Sequence, residues 1–312
     1  MYDPIKPYKK VISELIKQTW QTPYISIKEN IYPIIEKKIN YPEVDHTDGI
    51  GTKGFYHWQQ GTFKNAVLDA LAMNLNDLAV VRAIPYKLQD HILVPKEDER
   101  IIEIIKELSK ECKKRNIAIT GGENSFQDNI DGFDISLTIS GFIKDPGLNR
   151  LENGDVLIGI ESSGLHSNGF TAVRKVFGKE FRPEFVIPTN IYLDTIADLN
   201  KEFDIHGMVH ITGGAYTKFK DLLFNTDARI NKDHKLEPPK IFWDLYERGI
   251  SDEEMYKTFN CGVGFVLSVD RKDAEGILKA IKDFNADVIG EIIPGNGNVI
   301  IESNFSKKRV IF

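Results

Sequence analysis

Residues 162–169 read Ser-Ser-Gly-Leu-His-Ser-Asn-Gly, a run of small and hydrogen-bonding residues in one short connection. Upstream, Val156-Leu-Ile-Gly-Ile160 has the length and apolarity of a buried strand. Downstream, Phe170-Thr-Ala-Val-Arg-Lys-Val-Phe177 has helical spacing of its apolar residues. The turn therefore delivers into a helix N-terminus, where unpaired backbone N–H groups and the helix dipole favour an anion such as phosphate. A plain connector needs one glycine and one cap. This one holds two glycines, three serines, an asparagine and a histidine.

Asp48-Gly-Ile-Gly-Thr-Lys53 is a second place where phosphate chemistry fits. Its glycines permit close backbone approach, Lys53 offers positive charge and Asp48 can hold a cation. Gly49, Gly51 and Gly54 satisfy G-x-G-x-x-G, but Phe55-Tyr-His-Trp-Gln-Gln60 does not read as a helix opening against a sheet, so a dinucleotide fold is a weak reading. On pattern alone the segment reads equally as a plain turn or a phosphate site. Asn76-Asp77 closes a long helical pattern, with Asp69 two turns earlier. Two carboxylates on a helix are commonly solvated, yet Leu75, Leu78 and Ala79 around Asp77 imply partial burial, and a buried carboxylate needs a partner. Gly121-Gly122-Glu123 follows an apolar strand pattern. Asp48, Asp77 and Glu123 together make an oxygen donor set of the kind magnesium takes beside nucleotide phosphates. His166 and His210 each stand beside a strand end and a glycine-rich turn, a setting in which a pair points to a pocket.

Regular elements must carry these groups. The spacing of Val11, Ile12, Leu15, Ile16 and Trp20 predicts a helix over 5–20, and a second helix is expected near 30–39. A strand leads into Asp45–Asp48. A helix over 62–80 has Val67, Leu68, Leu71, Leu75 and Leu78 on one side. His91–Val94 reads as a short strand, 97–115 as a charged helix, and 117–119 as a strand ending in Thr120-Gly-Gly-Glu123. Residues 133–143 alternate cleanly as a half-buried strand. The turn cluster Asp145-Pro-Gly-Leu-Asn149 marks a boundary, giving domains 1–147 and 148–312. In the second, a helix is expected from Gly214 to about 223, residues 225–240 read as a polar surface excursion, Asn260–Val269 as a glycine-bearing strand and 271–284 as a helix. Strands and helices alternate in both halves, so the class is mixed α/β.

At 312 residues the chain is long for one core. A net charge of −6 argues against broad nucleic-acid binding. Cys112 and Cys261 sit in a helical and a strand pattern, which excludes a disulfide framework or zinc site as the organising feature. The start, Met1-Tyr-Asp-Pro-Ile-Lys, lacks a signal-peptide core, and no apolar run approaches the roughly 20 residues that span a bilayer. The expectation is a cytoplasmic protein without a membrane partner.

Seven segments in order carry a resemblance: Thr47-Asp-Gly-Ile-Gly-Thr-Lys53, Ala72-Met-Asn-Leu-Asn-Asp77, Gly121-Gly-Glu123, Gly154-Asp-Val-Leu-Ile158, Ser162–Gly169, His210-Ile-Thr-Gly-Gly214 and Thr258-Phe-Asn-Cys-Gly-Val-Gly264. The chain resembles the aminoimidazole ribonucleotide synthetases, the ATP-dependent cyclo-ligases of purine biosynthesis. The resemblance implies a two-domain PurM-like fold, with an N-terminal α/β domain that forms the sheet or barrel of a homodimer and a C-terminal α/β domain. It implies conversion of formylglycinamidine ribonucleotide and ATP to aminoimidazole ribonucleotide, ADP and phosphate, with magnesium. Phosphorylation of the formyl oxygen makes it a leaving group, and an internal nitrogen closes the ring.

By position, the resemblance gives Asp48, Gly49, Gly51, Thr52, Lys53, Asn76 and Asp77 to ATP, and Asp48, Asp77 and Glu123 to the metal. It gives Ser163, Gly164, Ser167, Asn168, Gly169, Thr212 and Gly213 to the substrate's ribose phosphate, and proton transfer to His166 or His210, whose ordinary pKa suits that work. One departure stands out. The family carries a glycine-rich loop with a lysine before its Asp-Gly-x-Gly-Thr-Lys segment, whereas residues 1–48 here contain no glycine. The nucleotide lid is therefore expected to be simplified. The alternatives are a weakened homologue that only binds nucleotide or ribonucleotide, or another ATP-using member of the superfamily.

Overall fold

The computed structural model describes residues 8–312. The chain divides into two compact units, residues up to Leu78 with Ala83–Asp145, and Ala79–Arg82 with Pro146–Phe312. The opening residues of the helix expected over 5–20, and the amino-terminal segment read for a leader, lie outside the described residues.

The first unit begins with α1 (Lys9–Lys17) and a hairpin of β1 (Ile25–Lys28) and β2 (Ile34–Lys37). It continues through β3 (Glu43–Gly49), α2 (Gly54–Gln60), α3 (Phe63–Val80), β4 (Ile84–Val94), α4 (Arg100–Lys114), β5 (Ala118–Phe126) and β6 (Asp134–Phe142). A four-stranded sheet runs β3-β6-β4-β5, with β4 and β5 parallel and the other pairs antiparallel. In β6 the alternation is as read from the sequence: Ile135, Leu137 and Ile139 are wholly buried, while Asp134, Ser136 and Thr138 are partly exposed. The opposite face of the sheet is polar. Thr47 and Thr138 share a 2.9 Å hydrogen bond across β3 and β6, and Lys87 Nζ donates to Ser140 Oγ at 2.6 Å. Helix α3 is buried nearly all round rather than on one side, as its alanine and leucine content permits.

Three expectations for this unit need correction. Residues 30–39 contain no helix; β2 occupies 34–37, where Ile27 and Ile35 pack on a cluster of Ile25, Tyr86, Ala118 and Phe142. That distant apolar surface, invisible to local spacing, selects the strand. The short strand at 91–94 is the end of an 11-residue strand. Gly121-Gly122-Glu123 lies within β5 rather than after it, because the parallel ladder to β4 continues to Phe126.

A buried charge cluster fixes the start of α2 and α3. Lys53 closes a short 3-10 turn over Gly51–Lys53, is 0 % exposed, and places Nζ 2.8 Å from the Asp69 carboxylate, also 0 % exposed. His57 Nε2 lies 2.9 Å from Asp69 Oδ2, and His57 Nδ1 lies 2.7 Å from Thr62 Oγ1. Burial opposes the charge on Asp69, but Lys53 and His57 outweigh it and hold the carboxyl far below its usual range.

The second unit holds β7 (Val156–Glu161), α5 (Phe170–Phe177), α6 (Leu193–Glu202), β8 (Ile205–His210), β9 (Thr226–Ile230), α7 (Lys240–Glu247) and α8 (Asp252–Thr258). It ends with β10 (Val263–Val269), α9 (Ala274–Ala280), β11 (Ala286–Pro294), β12 (Val299–Glu302) and β13 (Arg309–Ile311). The seven-stranded sheet runs β13-β12-β9-β11-β7-β10-β8. Strand β10 is buried at every position and β7 at all but its last, which is why each reads as an unbroken apolar run. The polar stretch 225–240 is not wholly a surface excursion: β9 enters the sheet between β12 and β11. Residues Ala215–Leu222 form a 3-10 helix, and the last expected helix shortens to α9.

Asp155, at the head of β7, is 3 % exposed and joins three strands. It accepts from Ser268 Oγ of β10 at 2.6 Å and faces His206 Nδ1 of β8 at 2.9 Å. Burial works against a charge on His206, but Asp155, Glu152 and Asp204 together raise its pKa above the usual value. A raised folded-state pKa gives stability that is complete below the unfolded value and is lost as pH rises through the folded value. Thermal melts should therefore show the second unit losing stability as pH rises above the usual histidine value of about 6.5. His206→Gln should flatten that slope; an unchanged slope would remove His206 as its source.

Candidate active site

In the second unit the 162–169 loop is held from below by Asn260, which is 3 % exposed. Its Oδ1 accepts from Ser162 Oγ at 2.8 Å and from the Gly262 N–H at 2.9 Å, and its Nδ2 donates to the Gly164 carbonyl at 2.7 Å. Ser163 Oγ donates to the Pro188 carbonyl at 2.6 Å, and Ser167 Oγ lies 3.1 Å from Thr189 Oγ1. Gly169 caps α5 with φ +74°, and a side chain there would meet the Phe259 ring at 2.3 Å. The Ser162–Gly169 and Phe259–Gly264 segments, read separately in the sequence, are thus one packed unit.

His166 and His210 do come together, around Tyr192. Their ring centroids lie 6.2 and 6.5 Å from that of Tyr192, and the three residues are at most 2 % exposed. His166 adopts φ +59°, a left-handed conformation uncommon for a residue with a Cβ. Its Nε2 accepts from the Ser163 N–H at 3.2 Å. Tyr192 donates to the Glu161 carbonyl at 2.6 Å, and burial pushes its pKa far up. A side chain at Gly264 would meet Tyr192 Oη at 2.0 Å and His166 Cε1 at 2.6 Å, so glycine there makes room for both rings. Both histidines are thus buried, and His166 braces the loop through the Ser163 N–H.

The residues that reach outward are others. Ser167, Asn168 and Gly169 are half-buried, and Gly213 is exposed. Asn168 Oδ1 lies 3.6 Å from the position a Gly213 side chain would take, so the loop and the Thr212-Gly213 turn adjoin. Asn168 Nδ2 is shielded and has no hydrogen-bond partner among the described residues, leaving a donor for an anion. Lys218, which the sequence reading did not single out, donates to Thr212 Oγ1 and, at 3.3 Å, to the His210 carbonyl. Its position one turn into a glycine-capped 3-10 helix was the available signal.

In the first unit, Asn74 and His46 link Asp48 to Asp77. Asn74 Nδ2 donates to the Asp48 carbonyl at 3.1 Å, Asn74 Oδ1 lies 3.0 Å from His46 Nδ1, and His46 Nε2 lies 3.2 Å from Asp77 Oδ2. The Asp77 hydrogen bond leads the effects that raise the His46 pKa, against burial. Asn74 and His46 thus connect the Asp48 backbone to the Asp77 carboxylate, while the Asp48 carboxylate accepts from the Gly49 N–H at 2.7 Å. Glu123 does not join them. Asp48 pairs with buried Leu137, whereas Glu123 pairs with His91 and His91 with Ser136, on the opposite face of the sheet. Among the described residues no group of three His, Cys, Asp or Glu is assembled to hold a metal ion. Carboxylates such as those of Asp48 and Asp77 are the oxygen donors magnesium takes, with phosphate oxygens and water completing its shell.

Two further expectations for the nucleotide change. Lys53 is committed to Asp69 in the core and offers no charge to a phosphate, and Asn76 is 0 % exposed within α3. Gly51, with φ +50° and open space about it, and Thr52 remain beside Gly49 at the accessible part of the turn. The sequence reading missed Asp90. It shares the inner face with Asp48, is 6 % exposed, and its Oδ1 has no hydrogen-bond partner among the described residues. Burial, with Glu123 adding to it, pushes its pKa up to about 7. The signal was an acid at a core-face position of Leu88-x-Asp90-x-Ile92.

Residues 39–143 match the family described as AIR synthase related protein, N-terminal domain, and residues 152–302 match the corresponding C-terminal domain. A phosphoribosylformylglycinamidine cyclo-ligase of Methanococcus vannielii is 36% identical over 287 residues, 85% of this chain and 81% of that protein. One of Saccharolobus solfataricus is 33% identical over 308 residues, 96% of this chain and 93% of that protein. Among solved structures, the Escherichia coli hydrogenase maturation protein HypE superposes with a TM-score of 0.70 at 18% identity, covering 97% of this chain and 96% of its own. A HypE solved in complex with ATP gives 0.67 at 14% identity, covering 99% and 95%. At these identities the structural likeness concerns the fold.

Removing the Asn260 side chain leaves Ser162 Oγ, the Gly164 carbonyl and the Gly262 N–H without their partner. Asn260→Ala should lower the unfolding free energy by about 2–4 kcal/mol in urea titrations. A loss below about 0.5 kcal/mol would mean that the loop is held by other contacts.

Proposed function

The chain belongs to the AIR synthase related family, and we propose that it acts as a phosphoribosylformylglycinamidine cyclo-ligase, closing the imidazole ring of formylglycinamidine ribonucleotide at the expense of ATP. The observation that carries this reading is the match along both units to relatives that bear that name, with the Ser162–Gly169 loop built as a satisfied, pre-organised turn.

In the reaction the formyl oxygen attacks the γ-phosphorus of ATP, the phosphoanhydride bond breaks and ADP leaves. An internal nitrogen then attacks the activated carbon, and phosphate departs with the former formyl oxygen. Such chemistry depends on positioning and on neutralising charge. Asn168 Nδ2, the Gly213 backbone and the ammonium of Lys218 are assigned to the substrate's phosphate, with Ser163, Gly164, Ser167, Gly169 and Thr212 shaping the loop around it. The unpartnered Asn168 donor supports this assignment. Asp48, Asp77, Gly49, Gly51 and Thr52 are assigned to ATP. The two carboxylates would hold magnesium, which would draw charge from the phosphates. His46 and Asn74 orient them. His166 Nε2 supports the loop from beneath through the Ser163 N–H.

A homodimer through the polar outer face of the β3-β6-β4-β5 sheet is part of the same proposal, supported by the exposure of Thr47, Gln89, His91 and Glu123. No helix among the described residues is long and apolar enough to cross a membrane.

With formylglycinamidine ribonucleotide, ATP and magnesium, the protein should release aminoimidazole ribonucleotide and ADP in equal amounts. Asn168→Ala should raise the KM for the ribonucleotide by about 10–100-fold, the worth of a hydrogen bond to a charged group, and leave the KM for ATP unchanged. ADP without ring closure, or binding without turnover, would overturn the cyclo-ligase reading.

A further inference from the structure

Asn260 holds the first half of the 162–169 loop, through Ser162 and Gly164. A second segment, Pro188-Thr189-Asn190, also meets the loop. It follows a 3-10 turn over Pro183–Val186 and leads into α6. Asn190 Nδ2 and, two residues on, Tyr192 Oη donate to the carbonyl of Glu161, the last residue of β7, at 3.3 and 2.6 Å. The Pro188 carbonyl accepts from Ser163 Oγ at 2.6 Å, and Thr189 Oγ1 lies 3.1 Å from Ser167 Oγ.

The last of these contacts differs in kind. The first three end on backbone carbonyls and fix the path of the chain. The Ser167–Thr189 pair joins two hydroxyls, so it fixes a side chain in the second half of the loop. Thr189 is 3 % exposed, whereas Ser167 is half-buried. A β-branched side chain packed out of water has a narrow choice of χ1, while a serine on a partly open loop can exchange among its rotamers. Thr189 is therefore the fixed member of the pair, and Ser167 is the member it pins. Ser167 immediately precedes Asn168, whose shielded Nδ2 is the donor assigned to the substrate's phosphate. Pinning the Ser167 side chain restrains the backbone at 167, and with it the direction of the next side chain.

We propose that Thr189 is a positioning residue for the ribonucleotide: through Ser167 it holds the second half of the loop, and so Asn168 Nδ2, in the arrangement that meets the phosphate. The inference rests on the assignment of this loop to the ribonucleotide, and adds the residue that keeps the loop pre-organised. Pre-organisation of this kind is read in binding rather than in the chemical step.

The test pairs calorimetry of formylglycinamidine ribonucleotide binding with steady-state kinetics on the full chain. Thr189→Val keeps the branched shape and removes the hydroxyl. It should weaken ribonucleotide binding and raise its KM about 3–10-fold, the worth of one neutral hydrogen bond, with kcat and the KM for ATP unchanged. Thr189→Ser, which returns the hydroxyl, should restore the natural values. The variant carrying both Ser167→Ala and Thr189→Val should bind no worse than Ser167→Ala alone, because the two residues act through one contact. That cycle isolates the pair from any other contact of Thr189, and melting temperatures report folding separately. Equal binding by Thr189→Val, or losses that multiply in the double variant, would overturn the inference and leave the cyclo-ligase reading intact. These binding effects without any turnover would uphold the role of Thr189 and overturn the cyclo-ligase reading. If the natural chain does not bind the ribonucleotide, both fall.

Discussion

The Lys53–Asp69 ion pair sets the terms for the nucleotide-facing part of the first unit. Both side chains are wholly removed from water, so neither charge is tolerable without the other. Lys53 ends the turn that begins at Asp48, and Asp69 lies in α3 one and two turns before Asn74 and Asp77. Satisfying one buried charge therefore fixes the turn against the helix that carries the second carboxylate. His57 and Thr62 complete the set, leaving the cluster a single arrangement. Asn260 does the equivalent in the second unit with neutral groups. Two of its hydrogen bonds tie the entrance of β10 to the loop after β7 and the third braces the 260–262 turn, while Asn168 is half-buried and Gly213 exposed.

Much of this was legible in the sequence. The unbroken apolar run of β7, the alternation in β6, the helical spacing of α5 and the clustering of small polar residues at 162–169 are local signals, and each survives in the structure. What was not legible depends on partners distant in sequence. The 34–37 strand exists because Tyr86 and Phe142 offer its Ile35 a surface. Glu123 falls on the opposite face from Asp48 because a register shift between Leu88 and Gln89 and the pairing with β4 set its direction, which spacing in β5 alone does not reveal. The motif reading gave Lys53 to a phosphate because it supplied a charge without its buried counter-charge. Asp90 was readable in principle, as an acid where alternation demands an apolar residue.

The two halves of the chemistry differ in how they are built. The ribonucleotide side follows the family pattern closely, down to the glycines at 169 and 264 that two aromatic contacts require. The nucleotide side keeps its carboxylates but replaces a glycine-rich lid with a hairpin whose turn exposes Ile31 and Tyr32.

Activation of the formyl oxygen by ATP is the step on which the functional reading turns, and isotope labelling reports it directly. A single turnover of formylglycinamidine ribonucleotide carrying ¹⁸O in its formyl group should place the label in the released inorganic phosphate. Label recovered in water, with phosphate unlabelled, would mean that ring closure does not pass through a phosphorylated formyl oxygen and would contradict the cyclo-ligase mechanism.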